Sequence, residues 1–295
     1  EKILIPLKNP ELTEELINLA VTCKSKNNSG LLYALHVIDN YNDENGSNLK
    51  GKKLLESAAK VAAATDNNLK QLLRYDTNIV NGITNVIKEN NITDLILGID
   101  RDKIISNSFL NLTDGIISNS NATTMLFKSV QPLSTIKRHL VIVPEKAEKE
   151  IGFPYWLIRV WNIAQNSGAK LIFYANSNAI QYINEINKKH PIELEFKELP
   201  DLNDFLVLSR YVKNDDNLII VMSRKDSISF HQIMNKIPSY LNKYFNQNNF
   251  ILIYPIQYDY ESIKNMDLKN PSMIEPIEKL DDIGKTIVGI FKKIK

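Results

Sequence analysis

The segment DLILGIDRDKIISNSFLNLTDGIISNSNATTMLFK (residues 94–128) decides the fold. DLILGID (94–100) is a short, nearly continuous apolar run, the pattern of a strand buried on both faces of a parallel sheet. A polar loop follows, then a helix around Ser108–Ser118, and then a second strand, Thr123–Lys128. Upstream the same alternation runs back to the start of the chain. KILIPL (2–7) is a strand, and Asn9-Pro10 supplies a helix N-cap followed by the proline favoured at the first helical position. Leu12, Leu16, Leu19, Ala20 and Cys23 then lie on one helical face, until Asn27-Asn28-Ser29-Gly30 stops it. LLYALHVID (31–39) is a strand, Tyr41–Gly51 loop-like, Leu54–Ala64 an Ala-rich helix, Lys70–Tyr75 a weaker strand, and Ile79–Lys88 a helix with Gly82 as a blemish.

Past a linker at 131–137 the pattern restarts. HLVIVP (139–144) repeats the strand-then-Pro of ILIP (3–6). Pro154–Gln165, Asn178–Lys189, Leu202–Val212 and Ser229–Phe245 read as helices between strands KLIFYA (170–175), IELEFKEL (192–199), NLIIVMS (217–223) and FILIYPI (250–256). A period of about 135 residues is far longer than solenoid repeats and indicates duplication of a domain. The fold class is therefore α/β: two doubly wound parallel five-stranded sheets, spanning 1–130 and 138–257. A tail, 258–295, ends in an amphipathic helix with Ile283, Ile287, Val288, Phe291 and Ile294 on one face and lysines around them; it packs on its own domain or on a membrane surface or partner.

Composition narrows the function. With 36 Lys+Arg against 34 Asp+Glu, net +2, the chain lacks the basic excess of a nucleic-acid binder. One cysteine excludes an intrachain disulfide and a Cys-based metal cluster, and fits a reducing compartment. No apolar run approaches the length of a membrane span. The chain opens on Glu1 without a Met or a signal-peptide pattern, and reads as a piece of something longer. His36 reads as a buried structural histidine, and His139, His190 and His231 have no metal-ligand spacing. His231 with Ser227 and Ser229 lacks a nucleophile elbow. Cys23 reads as a buried hydrophobe, and Trp156 and Trp161 as core.

The five-stranded unit whose fourth strand runs into Gly98, a loop and a short helix resembles the universal stress protein domain, in both halves. LGIDRDKIISNSF (97–109) and SFHQIMNKIPSYLNKYFNQNNFILIYP (229–255) further resemble the tandem of such domains in the cytosolic C-terminal region of bacterial sodium (or potassium)/proton antiporters. That resemblance implies a non-catalytic regulatory module on the cytoplasmic face of the inner membrane, its partner being a transmembrane transporter domain upstream in the same polypeptide. The alternative is a free-standing tandem stress protein that binds ATP or another nucleotide. Nucleotide-binding members carry a phosphate loop G-x-x-G-x9-G-[ST], whose glycines let backbone amides approach phosphate at a helix N-terminus. Here the first Gly is Gly98, the second position is Arg101, and the Gly-Ser pair falls on Asn111-Leu112. The strand-end Asp falls on Lys8, and the position after the second strand is Val37. Lys8, Val37, Gly98, Arg101 and Asn111 thus outline a diverged nucleotide or anion pocket, with ATP, AMP or a cyclic dinucleotide as candidate ligands and no obligatory cofactor. Asp100 and Asp102 are placed to pair with Lys8 and Arg101 and seal it. In the second half Ser223-Arg224-Lys225 occupies the equivalent turn, and no glycine lies between Gly168 and Gly284, so no phosphate loop is expected there. Pairing of the last strand of one half with that of the other covers both edges, leaving a monomer or a weak homodimer.

Overall fold

A computed structural model describes residues 1–25, 30–39, 47–199, 201–256 and 282–294. Strands β1 (Lys2–Pro6), β2 (Leu31–Asp39), β3 (Leu69–Asp76), β4 (Asp94–Ile99) and β5 (Thr123–Lys128) alternate with helices α1 (Pro10–Cys23), α2 (Ser47–Ala63), α3 (Ile79–Asn90) and α4 (Asn107–Asn119). The second half repeats the order with β6 (Arg138–Ile142), α5 (Phe153–Ser167), β7 (Lys170–Ala175), α6 (Ser177–Lys189), β8 (Leu194–Glu198), β9 (Asp216–Val221), α7 (Ile237–Tyr244) and β10 (Asn249–Tyr254), and a last helix, α8 (Asp282–Ile294), follows. Each half is a parallel five-stranded sheet of identical strand order, β3-β2-β1-β4-β5 and β8-β7-β6-β9-β10. β5 and β10 pair antiparallel, Met125 opposite Ile253 and Phe127 opposite Ile251, so the two sheets are one ten-stranded sheet related by a pseudo-twofold axis at the seam.

The apolar strand runs are explained by burial on both faces. Ile3 and Ile5 point into one core layer and Leu4 into the other. The first layer lies under α1, α2, α5, α6 and α8, the second under α3, α4, α7 and a 3₁₀ segment, Leu202–Arg210. Both layers run continuously through both halves. Asn9 caps α1 with Pro10 at its start, as its sequence predicts. Gly82 lets α3 lie close on β2: a Cβ there would sit 2.7 Å from Val37 Cγ1.

Several elements differ from the sequence reading. Helix α2 begins at Ser47, inside the stretch read as loop; residues 40–46 lie outside the described residues. Leu202–Val212 is not an α-helix but the 3₁₀ segment, in which Leu202, Phe205 and Leu208 are buried at a spacing of three, the 3₁₀ period. Within Ser229–Phe245 only Ile237–Tyr244 is α-helical, because Pro238 is tolerated only in a first helical turn. The linker is a built elbow: Leu133 and Ile136 are buried, Asn249 accepts from the amides of Val130 (2.6 Å) and Gln131 (3.0 Å), and its Nδ2 donates to the Gln131 carbonyl (2.7 Å). The polar stretch 266–276 of the tail lies outside the described residues. Helix α8 packs on α5 and α6, burying Ile287, Val288 and Phe291, with Phe291 stacked on Phe153 at 6.3 Å.

Candidate functional site

In open α/β sheets, ligands bind beyond the carboxyl ends of the strands, where the strand order reverses. In the first half that place lies between β1 and β4. Lys8 follows β1 and is exposed; Arg101 follows β4 and is exposed; Gly98 lies within β4. These three share one end of the sheet. Asn111 does not join them in the expected role. Helix α4 already starts at Asn107, capped by Ser106, so Asn111 is an exposed position in its second turn rather than at its amide-bearing end. Val37, near the end of β2, is engaged with α3.

Charges of both signs gather at this end. Asp100 pairs with Lys103 Nζ at 2.5 Å and accepts from Asn9 Nδ2 at 3.2 Å. The hydrogen bond from Lys103, then that from Asn9 and the nearby Lys8 and Lys103 charges, hold the Asp100 carboxyl below its usual range against the opposing effect of burial. Arg101 does not pair with Asp100; its Nε donates a long bond, 3.4 Å, to the Ser129 carbonyl, and its charge faces Glu15. Burial raises the Glu15 carboxyl, and the Leu133 amide, Ser129 and the Arg101 charge oppose that rise. Lys128, 5% exposed, donates to the Lys103 carbonyl at 3.2 Å, and burial lowers its ammonium against the attraction of Asp102. Four cations, Lys8, Arg101, Lys103 and Lys128, thus share this end with three carboxylates, Glu15, Asp100 and Asp102, and among the described residues Lys103 and Asp100 form the ion pair while Arg101 and Lys128 bond backbone carbonyls.

Gly98 has a packing reason. A Cβ there would lie 2.9 Å from Leu16 Cδ1 and 3.3 Å from Leu12 Cδ1, so the absent side chain makes room for α1 against the sheet. Gly98→Val is expected to lower stability by about 1–3 kcal/mol through overpacking, read by urea denaturation. A variant as stable as the parent would show that α1 yields freely.

The second half closes its own crevice. The loop after β6 folds over the ends of β9 and β10. Ile151 is buried there, and a Cβ on Gly152 would sit 2.4 Å from Pro255 Cβ. Glu150 accepts from the Ser229 amide (3.0 Å) and hydroxyl (2.9 Å), and Ser229 Oγ lies 2.7 Å from Ser223 Oγ. Arg224, in the turn equivalent to the phosphate loop, faces away and donates to the carbonyls of Ile117 (2.7 Å) and Ser120 (3.3 Å), capping the C-terminal end of α4 in the other half. His231 takes no part with the serines; its Nδ1 accepts from the Ile233 amide at 3.3 Å. His36, read as buried, is half-buried and bonds the Leu7 carbonyl through Nδ1 (2.9 Å). His139 is fully buried between Ser167 and Asn217, and burial lowers its pKa to about 4. Cys23, Trp156 and Trp161 are fully buried, and burial drives the Cys23 thiol upward. Among the described residues no group of three or more His, Cys, Asp or Glu is placed to hold a metal, and no helix is long and apolar enough to cross a membrane.

Residues that sequence reasoning missed are those that join the halves. Arg159 of α5 is 4% exposed, and its Nε and a terminal nitrogen hold both oxygens of Asp94 at the start of β4, at 2.7 and 2.6 Å, while its other terminal nitrogen bonds Glu1. Asn162 and Asn166, also on α5, donate to the carbonyls of Cys23, Thr22 and Lys24 at the end of α1. A signal was available: Arg159 is the one charge in FPYWLIRVWNIA (153–164).

No family model matches the chain, and no curated protein matches it significantly. Solved structures do. A universal stress protein from Archaeoglobus fulgidus superposes with a TM-score of 0.59 at 14% identity, over 88% of this chain and 97% of its own. The cytoplasmic domain of a prokaryotic cation chloride cotransporter gives a TM-score of 0.55 at 10% identity, over 87% and 95%. A protein of unknown function from Pseudomonas aeruginosa gives 0.54 at 12% identity, over 99% and 97%. At these identities the likeness defines the fold: an α/β protein of the universal stress protein type. That fold occurs both in stress proteins and in the cytoplasmic domain of a cation transporter.

Proposed function

We propose that this chain is a non-catalytic regulatory module of a monovalent cation/proton antiporter, held at the cytoplasmic face of the inner membrane and joined to a transmembrane transporter domain upstream in the same polypeptide. The observation that carries the reading is the state of the two crevices. One is occupied by charges of both signs around the Lys103–Asp100 pair, with Lys128 turned to the Lys103 carbonyl, and in the other the gap between β6 and β9 is filled by the Glu150–Ser229–Ser223 contact. A module that regulates by packing needs neither site open. The likeness to the cytoplasmic domain of a cation chloride cotransporter supports the reading, since the same scaffold is there attached to a transporter. Such a module acts by biasing the populations of transporter states, which requires it to contact those states differently.

The test has two parts. Reading the gene upstream of Glu1 is expected to reveal a run of apolar spans, and deleting the module to change cation-dependent proton flux in membrane vesicles. A reading frame that opens near Glu1, or flux unchanged by the deletion, would sink the proposal. The competing reading, a nucleotide-binding stress protein, makes a different prediction. A ligand at a hundredfold excess over its dissociation constant stabilises the native state by about 2.7 kcal/mol. Thermal melts with ATP, AMP and cyclic dinucleotides are expected to show no such rise. A rise that disappears in Lys8→Ala and Arg101→Ala would reinstate the nucleotide site.

A further inference from the structure

The two halves differ where their last helices begin. In the first, α4 begins at Asn107, soon after β4 ends, and packs on α3; a Cβ on Gly115 would lie 3.4 Å from Val80 Cγ1. In the second, Ser229 is drawn inward by Glu150 and is 5% exposed, and the chain makes a 3₁₀ turn, Gln232–Asn235, before α7 begins at Ile237. The counterpart of α3 is the narrower 3₁₀ segment Leu202–Arg210. Between that segment and the turn a hollow of about 760 Å³ opens, within the size range of small-molecule sites.

Its lining is selective. Phe230 and Ile233, both half-buried, give it an apolar floor. Asn203, His231, Gln232, Asn235 and Lys236 supply the polar groups, and Lys236 is the only full charge among the lining side chains. Because His231 Nδ1 accepts from the Ile233 amide, the proton of the neutral ring sits on Nε2, making that nitrogen a donor. The carboxylate facing His231 is Asp201, already bonded by the Asn203 amide (2.8 Å) and Nδ2 (3.1 Å). Donors and one cation over an apolar floor match an acceptor-bearing anion with an apolar body, and an aromatic ring stacks on phenylalanine.

We propose that this hollow binds a small organic anion carrying a ring, such as an aryl phosphate or an aromatic carboxylate. It is lined by the connection from β9 to α7 and by the start of the 3₁₀ segment, and it does not depend on what the chain is joined to.

Phenyl phosphate is the probe. Titrated into the full chain and followed by ligand-observed NMR and calorimetry, it is expected to give one saturable site. Inorganic phosphate and benzyl alcohol, which each carry one part of the probe, are expected to bind at least about tenfold more weakly. Lys236→Glu, at an exposed position, is expected to weaken binding about tenfold or more without moving the melting temperature. Phe230→Ala is expected to do the same; if it lowers the melting temperature, Ile233→Asn replaces it. Lys8→Ala and Arg101→Ala are expected to leave binding intact. Absence of saturation at ~10 mM probe, affinity unchanged in Lys236→Glu, or loss in the Lys8 and Arg101 variants would each overturn the assignment.

Discussion

An Arg159→Met chain is expected to be about 3–5 kcal/mol less stable than its parent, the largest effect of any single substitution considered. The reason is the company Arg159 keeps. It is 4% exposed, Asp94 is 2% exposed and the Glu1 side chain is fully buried, so removing the guanidinium leaves two carboxylates in a low-dielectric interior without their cation. Arg159→Lys is expected to recover only part of the loss, because a single ammonium cannot meet both oxygens of Asp94 and reach Glu1 as the planar fork does. Replacing Arg159 together with Asp94 and Glu1 by apolar residues of similar volume is expected to restore most of the stability, since a buried ion cluster gains little over good packing once its desolvation is counted. Urea denaturation of the three chains checks all of this. A loss below about 1 kcal/mol in Arg159→Met would mean that water reaches the cluster and screens it.

The second large effect concerns the seam. The whole chain is expected to unfold in one cooperative transition, its calorimetric and van't Hoff enthalpies in agreement, although its topology is that of two repeated domains. β5 is buried at all six of its positions, and along the seam it is paired from Thr124 to Lys128 with β10. Arg159 ties α5 to β4, Asn249 ties β10 to the elbow, and Arg224 caps α4, so the halves are bridged in both helix layers and at the elbow. Cutting the chain within the elbow strips these contacts and exposes an apolar strand edge, which recruits another edge. Residues 1–136 expressed alone are therefore expected to self-associate, and to form a one-to-one complex when refolded with the remainder. Two separate melting transitions in the intact chain, or a stable monomer of 1–136 by light scattering, would contradict the single-unit view.

The candidate site was legible in the sequence to a different depth in each half. For the first, the strand ends alone put Lys8, Gly98 and Arg101 at one end of the sheet, and the structure agrees. Which carboxylate meets which cation was not legible. Asp100 turns to Lys103 and Asn9, while Arg101 faces Glu15 from α1, because side-chain direction depends on packed neighbours distant in sequence. For the second half, the missing glycines excluded a phosphate loop, but nothing local announced that Glu150 would reach across to Ser229. The same holds for Arg224, whose position suggested an anion and whose bonds are to a helix end in the other half.

What the sequence determined by itself is what local patterning controls. Apolar runs such as ILIP and DLILGID require strands buried on both faces, Asn9-Pro10 starts a helix, and the restart after residue 137 announces a duplicated parallel sheet. These follow from hydrophobic periodicity and backbone chemistry within a dozen residues. The pairing of the two last strands was also legible, from the need to cover their edges, but only the tertiary structure decided which side chains lock that joint, why Gly98 and Gly82 are glycine, and that Leu202–Arg210 winds as 3₁₀. Those outcomes depend on contacts between residues far apart in the chain, where the shape of the space left by one element dictates what the next must be.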